Sequence, residues 1–279
     1  MKSLLKAFLL RMKASPEFRC TLAGVCLYAI YCGFSERNRY LNSLFDTQTQ
    51  SITTKVADGS MLTLFPVLLI ALAVFVSCFL GTEYADGSLR NKIISGHSRL
   101  YVYFSALFVC SLAGLGMLLA GMLANILTCL IQGGVFVIPA HITLYYAFSA
   151  CCVTVSAVSL FVFLAMCNDK KPVNTAITIL LVFLMYYLSE KTDQLLSHGS
   201  IWLAGYELSL PDSIRSILEC FHHFLPFGQA YEHINVAMND LFYSSKPFAL
   251  HWEWPIFSVA FSFLITITGL LCFSKKDLK

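Results

Sequence analysis

Charge is scarce in this sequence. Asp, Glu, Lys and Arg make up 13% of its 279 residues, against roughly a quarter in an ordinary soluble domain. So few charges cannot cover a soluble surface, and no soluble core of this size hides a chain that is 57% hydrophobic. No GxxxxGK[ST] phosphate loop occurs, so the chain has no standard means of binding ATP. HExxH and GxSxG are missing too, which removes the zinc-peptidase and α/β-hydrolase readings. The eleven cysteines form neither a CxxC pair nor a Cys/His zinc spacing, and all but Cys220 fall in or beside apolar runs. They read as small hydrophobes rather than a disulfide framework. A net charge of +3 leaves no footprint for nucleic acid. Neither a cofactor nor a metal is expected on this chain, and no enzymatic activity of its own.

What the chain has is long uncharged apolar runs. Six can be marked, at about 20–34, 61–81, 101–131, 144–167, 173–188 and 256–273. Every Asp, Glu, Lys and Arg lies outside them. That segregation is what a bilayer demands, because each such charge at a helix centre costs roughly 2.5–3.5 kcal/mol. The expected fold class is therefore an all-α integral membrane protein with six transmembrane helices. The run 101–131 exceeds the ~30 Å hydrocarbon core at ~1.5 Å per residue, so it must tilt, break or protrude. With the N-terminus placed in the cytoplasm, thirteen Lys and Arg fall on the inner side and six on the outer side. The positive-inside rule then puts both termini in the cytoplasm.

The segments between the runs differ in kind. No cleavable signal peptide is evident in residues 1–16, where Lys2, Lys6, Arg11 and Lys13 interrupt any apolar core. Leu4, Leu5, Phe8, Leu9 and Met12 recur there at helical spacing, which predicts an amphipathic interfacial helix. Residues 35–60 read as a polar outer loop. Residues 189–255 form a large outer segment in which Ile214, Ile217, Leu218, Phe221 and Leu225 make an apolar stripe ended by Pro226. Asp212 is expected to cap that interfacial or re-entrant helix, and Trp252 and Trp254 to anchor the last span at the interface. Glu219, His222, His223, Glu232 and His233 cluster in the same segment; they read first as polar helix faces and second as a metal or pH-sensing site. Gly116, Ala120 and Ala124 lie four apart in the third run, which favours close helix packing within the chain or at a dimer seam. Asn125 and Asn174 fall inside runs; they read first as interhelical hydrogen-bonding groups and second as groups lining a pathway.

The informative polar segment follows the second run, from Gly81 to Arg99. On spacing it reads either as a short helix over Asp86–Ile94 with Leu89, Ile93 and Ile94 available to a partner, as a helix docks in a groove elsewhere, or as a solvated turn whose charges follow the positive-inside rule. Its residues Glu83, Tyr84, Gly87, Arg90, Asn91, Lys92, Gly96, Ser98 and Arg99 spell Glu-Tyr-x-x-Gly-x-x-Arg-Asn-Lys followed by Gly-x-Ser-Arg. This pattern resembles the loop after the second helix in permeases of the ABC-2 exporter type. Phe224-Leu225-Pro226-Phe227 and the ending Phe273 to Lys279, with Asp277 and Leu278, are similar to other features of that family. The resemblance covers essentially the whole chain. It implies the transmembrane subunit of an ATP-driven exporter in a bacterial cell membrane, two copies of a separate ATPase subunit that carry ATP and magnesium, and a second permease of the same or a sister chain. It also implies coupling to the ATPase through Glu83, Tyr84, Asp86, Gly87, Leu89, Arg90 and Ile93, with Glu83 at the helix-to-loop joint and its charge on neighbouring basic residues. A lipophilic compound or peptide is the expected cargo. An ATP-independent secondary carrier or channel is the alternative, although the spans lack the acidic or basic groups such carriers place near the midplane.

Overall fold

The computed structural model describes residues 2–35, 61–134, 136, 139–168, 170–198, 200–203, 206–209, 211–236 and 250–276. The expected polar loop 35–60 and the C-terminal Asp277 and Leu278 lie almost wholly or wholly outside these residues. Helices α1 (Lys2–Ala14) and α2 (Pro16–Ser35) come first, and a 3₁₀ turn at Met61–Leu64 leads into α3 (Phe65–Ala85). Short α4 (Ser88–Ile94) precedes α5 (Arg99–Ile131), α6 (Ala140–Cys167) and α7 (Lys171–His198). An antiparallel hairpin, β1 (Ser200–Leu203) and β2 (Tyr206–Ser209), pairs Ser200 with Ser209. Helices α8 (Asp212–Phe224), α9 (Pro226–Asn235) and α10 (Glu253–Lys275) complete the chain. The hairpin is an exception to the expected all-α architecture.

Among the described residues, five helices are long and apolar enough to cross a membrane: α3 with its leading turn, α5, α6, α7 and α10. Their outward faces are studded with large apolar side chains, such as Leu119, Leu123 and Leu127 on α5 and Ile256, Val259 and Phe263 on α10. Apolar surface on that scale needs lipid rather than water. The chain is a multi-pass membrane protein. The expected first span, 20–34, falls in α2, which is 20 residues long and carries Glu17 and Arg19 in its first turn; it is not among the five.

Helix α3 is the most enclosed of the five and forms the axis, packing against α2, α6 and α7. Helix α5 runs unbroken for 33 residues, about 50 Å at the α-helical rise, so of the three options open to it breaking is excluded. Helix α7 continues ten residues past the expected end at 188, because Lys191 and Gln194, and Gln194 and Glu190, bond along its surface at 2.9 and 3.3 Å. The link after α5 turns at Gly133, whose φ is +79°. Close packing along α5 uses Gly114 and Gly121, whose added Cβ atoms would meet neighbouring side chains at 3.0–3.1 Å. Gly116 has nothing within 4 Å, so the four-residue stripe it begins does not serve packing within the chain at that point.

Polar residues inside the spans bond across helices. Asn125 donates to Ala29 O at 3.0 Å, tying α5 to α2. Asn174 donates to Ser77 Oγ at 2.9 Å, and Ser77 and Thr178 share a bond of 2.9 Å, tying α3 to α7. Asn174→Ala leaves Ser77 without this donor inside the bundle and is expected to cost about 1 kcal/mol. Unfolding in mixed detergent micelles measures it, with exposed Leu180→Ala as the control.

Candidate functional site

Four charged side chains, Arg11, Glu83, Asp86 and Lys92, pair where α3 ends. Glu83 sits in the last turn of α3 with its side chain fully buried. A buried carboxylate is tolerable only when cations and donors surround it. Lys92 Nζ of α4 lies 2.5 Å from Oε2, and Ser88, at the start of α4, donates to the same oxygen. Arg11 Nε of α1 lies 3.1 Å from Oε1, an ion-pair distance without hydrogen-bond geometry. Arg11 also pairs with Asp86. One carboxylate therefore joins three helices. Burial pushes the Lys92 ammonium below its usual range, while Glu83 pulls it back up.

Apolar packing fixes the geometry around this joint. Leu4, Phe8 and Met12 are buried, so the stripe on α1 packs into the bundle core, and the Phe8 ring lies 3.4 Å beneath Lys92 Nζ. Gly87, between α3 and α4, has φ +64°, a left-handed conformation that reverses the chain so that Lys92 points back at Glu83. Gly96 closes α4 at φ +93°, and Ser98 caps α5 by accepting from Tyr101 N.

The neighbouring motif residues hold helix ends. The Tyr84 hydroxyl donates to Met166 O at 2.8 Å, and Lys276 lies over the Tyr84 ring while donating to Met166 O and Cys167 O. Arg99 donates to Phe273 O and Ser274 O in the last turn of α10 and to Lys276 O just beyond it. Cations on the final carbonyls of α6 and α10 satisfy orphan acceptors and oppose the helix dipole.

Helix α4 does not present its apolar residues as expected. Leu89 is 1% exposed and Ile93 is half-buried against the core, because the turn at Gly87 aims them back at the bundle. Leu89 is therefore not available to a partner. The outward face carries Arg90, Asn91 and Ile94, the last 71% exposed, with Asp86 beside them. Of the residues singled out, Glu83, Asp86 and Gly87 come together at the joint, Tyr84 sits on its α6 side, and Arg90 alone points freely outward. The partners Arg11 and Ser88 were not singled out by sequence reasoning.

The opposite end of the bundle differs from expectation in three places. Pro226 starts a second helix as well as ending the first: Leu225 is extended, α9 follows, and Phe227, Gln229 and His233 of α9 are buried. Asp212 is the first residue of α8, and Pro211 occupies the cap. Trp252 is exposed as an anchor should be, but Trp254 is 3% exposed and enclosed by the rings of His223, His233 and His251. The stripe residues Ile214, Ile217 and Phe221 face away from the bundle. His222 is buried and bonds Glu232 at 3.1 Å. Among the described residues no group of three or more His, Cys, Asp or Glu can hold a metal ion. All eleven cysteines lie among the described residues and none is in a disulfide.

His233 is fully buried between Phe65, Tyr146 and Trp254, and its Nδ1 bonds Gln229 O at 2.7 Å. Burial lowers its pKa from 6.5 to about 4. Between those values the unfolded chain binds more protons than the folded one, so stability rises with pH. The contribution is fully present above pH 6.5 and is lost as pH falls toward 4. The loss amounts to roughly 3 kcal/mol. Melting temperature measured in detergent from pH 7.5 to 4.5 is expected to fall less steeply for His233→Asn than for the parent.

No protein-family model matches the chain, and no curated protein matches it.

Proposed function

We propose that the chain is the permease subunit of an ATP-driven exporter in a bacterial cell membrane, with both termini in the cytoplasm and α2 as a sixth span. One observation carries the reading: the buried Glu83 carboxylate bolts a surface helix and a short loop helix to the end of the central span. A loop that merely joined two spans needs no buried charge. A joint that transmits force does, because α1, α3 and α4 must then move as one body. The exposed Arg90, Asn91 and Ile94 are the face on which an ATPase subunit would bear, and ATP and magnesium belong to that subunit. Two ATPase copies and a second permease complete the assembly. The cargo is a lipophilic compound or peptide, in keeping with apolar runs that carry no charge. The test is co-purification of the tagged chain, from its native membrane in mild detergent, with a subunit that hydrolyses magnesium ATP. Dependence of that hydrolysis on Arg90 and Ile94 distinguishes it from contamination.

A further inference from the structure

Among the described residues, α6 and α10 share the most extensive helix–helix contact. Their C-terminal ends meet at the end of the bundle that holds Glu83. There Lys276 Nζ, just past α10, donates to Met166 O at 3.0 Å and to Cys167 O at 3.1 Å, and it lies over the Tyr84 ring. Cys167 is the last residue of α6, and Cys272 stands one turn before Lys276 on α10. The two thiols interact directly across this contact. Cys272 is exposed, Cys167 is half-buried, and neither is in a disulfide.

A third group closes the cluster. Tyr103 of α5 is fully buried; its ring lies 6.2 Å from that of Phe273, and a Cβ added at Gly269 would meet its hydroxyl at 2.1 Å. Gly269, Cys272 and Phe273 share one side of α10 by their spacing of three and four. The hydroxyl therefore sits beside the thiols, and it interacts electrostatically with both. It has no hydrogen-bond partner among the described residues. A buried O–H without an acceptor is costly. A thiol is a weak acceptor, whereas the charged sulfur that oxidation passes through is a strong one. The unmet donor is thus placed to favour oxidation of the pair.

We propose that Cys167 and Cys272 are a redox pair that hydrogen peroxide converts to a disulfide joining α6 to α10. The exposed Cys272 sulfur attacks one peroxide oxygen and the O–O bond breaks. The other oxygen leaves as water with the thiol proton, and Cys272 becomes a sulfenic acid. The Cys167 sulfur then attacks the Cys272 sulfur, the S–O bond breaks, and a second water leaves with the Cys167 proton. Two thiols supply the two electrons that the peroxide accepts. The inference does not depend on an ATPase partner. It is tested by treating the purified full chain in detergent with a small excess of hydrogen peroxide, then unfolding it and alkylating with a maleimide. The parent is expected to lose two of its eleven maleimide-reactive thiols together, with no oxygen added to its intact mass, and dithiothreitol to restore both. Cys272→Ser, at an exposed position, should lose none. Cys167→Ser should lose one, trapped by dimedone as the sulfenic acid. No thiol loss in the parent, oxygen retained in place of the linked pair, or loss of a pair in either single variant overturns the proposal.

Discussion

Glu83→Gln is expected to loosen α1 and α4 from the bundle together. Gln keeps the shape of the side chain and can still meet Ser88, but it leaves Lys92 and Arg11 facing a neutral amide. Lys92 is 16% exposed and Arg11 35% exposed. Losing one partner of a fully buried pair costs about 3–5 kcal/mol; here Arg11 can turn toward Asp86 and water, so about 2–4 kcal/mol is expected. Hydrogen exchange of the purified chain gives the signature. Residues 2–14 and 88–94 should lose protection in step, while the middle of α5 and α6 keeps it. Lys6→Gln, at an exposed position on α1, should leave both segments protected. Unchanged protection of residues 88–94 in Glu83→Gln would mean that the carboxylate is not the joint.

The double variant Arg90→Glu, Ile94→Asp is expected to abolish binding of the proposed ATPase subunit while leaving the fold intact. Both positions are exposed, so neither change buries a charge. Helix-in-groove docking depends on a few central anchors, and truncating or reversing these typically costs at least about 2 kcal/mol, some thirtyfold in affinity. Leu89→Asp is the wrong test. It drives a carboxylate into the core beside Glu83, so loss of binding would report a broken joint rather than a lost contact. The informative comparison is the double variant against the parent, with matching melting temperatures and matching protection of residues 2–14.

The sequence made the bundle legible where burial and charge exclusion act on long stretches. The runs 61–81, 101–131 and 144–167 became α3, α5 and α6 within a few residues. The end of α7 was hidden because Glu190, Lys191 and Asp193 end an apolar run without ending a helix. Pro226 hides helix α9 in the sequence, because proline ends one helix as readily as it starts the next; Phe227, Ala230 and His233–Ile234 repeat at helical spacing behind it. Glu83 was legible as a charge at a helix end, but nothing in the sequence chose Arg11 over Lys2, Lys6 or Lys13 as its partner. Only the packing of Leu4, Phe8 and Met12 makes that choice. The facing of a seven-residue helix such as α4 is likewise undetermined by period alone. The left-handed turn at Gly87 sets it, and that turn sends Leu89 inward and Ile94 outward.

Mechanical work is proposed to enter through α4 from a separate nucleotide-hydrolysing subunit. The most direct test isolates the tagged chain from its native membrane, reconstitutes the isolate in vesicles, and measures magnesium ATP hydrolysis. Hydrolysis is expected to co-purify with the parent chain, to stay when ion gradients are collapsed, and to fall to background with the Arg90→Glu, Ile94→Asp chain. Equal hydrolysis from both chains, or none from the parent, would contradict it.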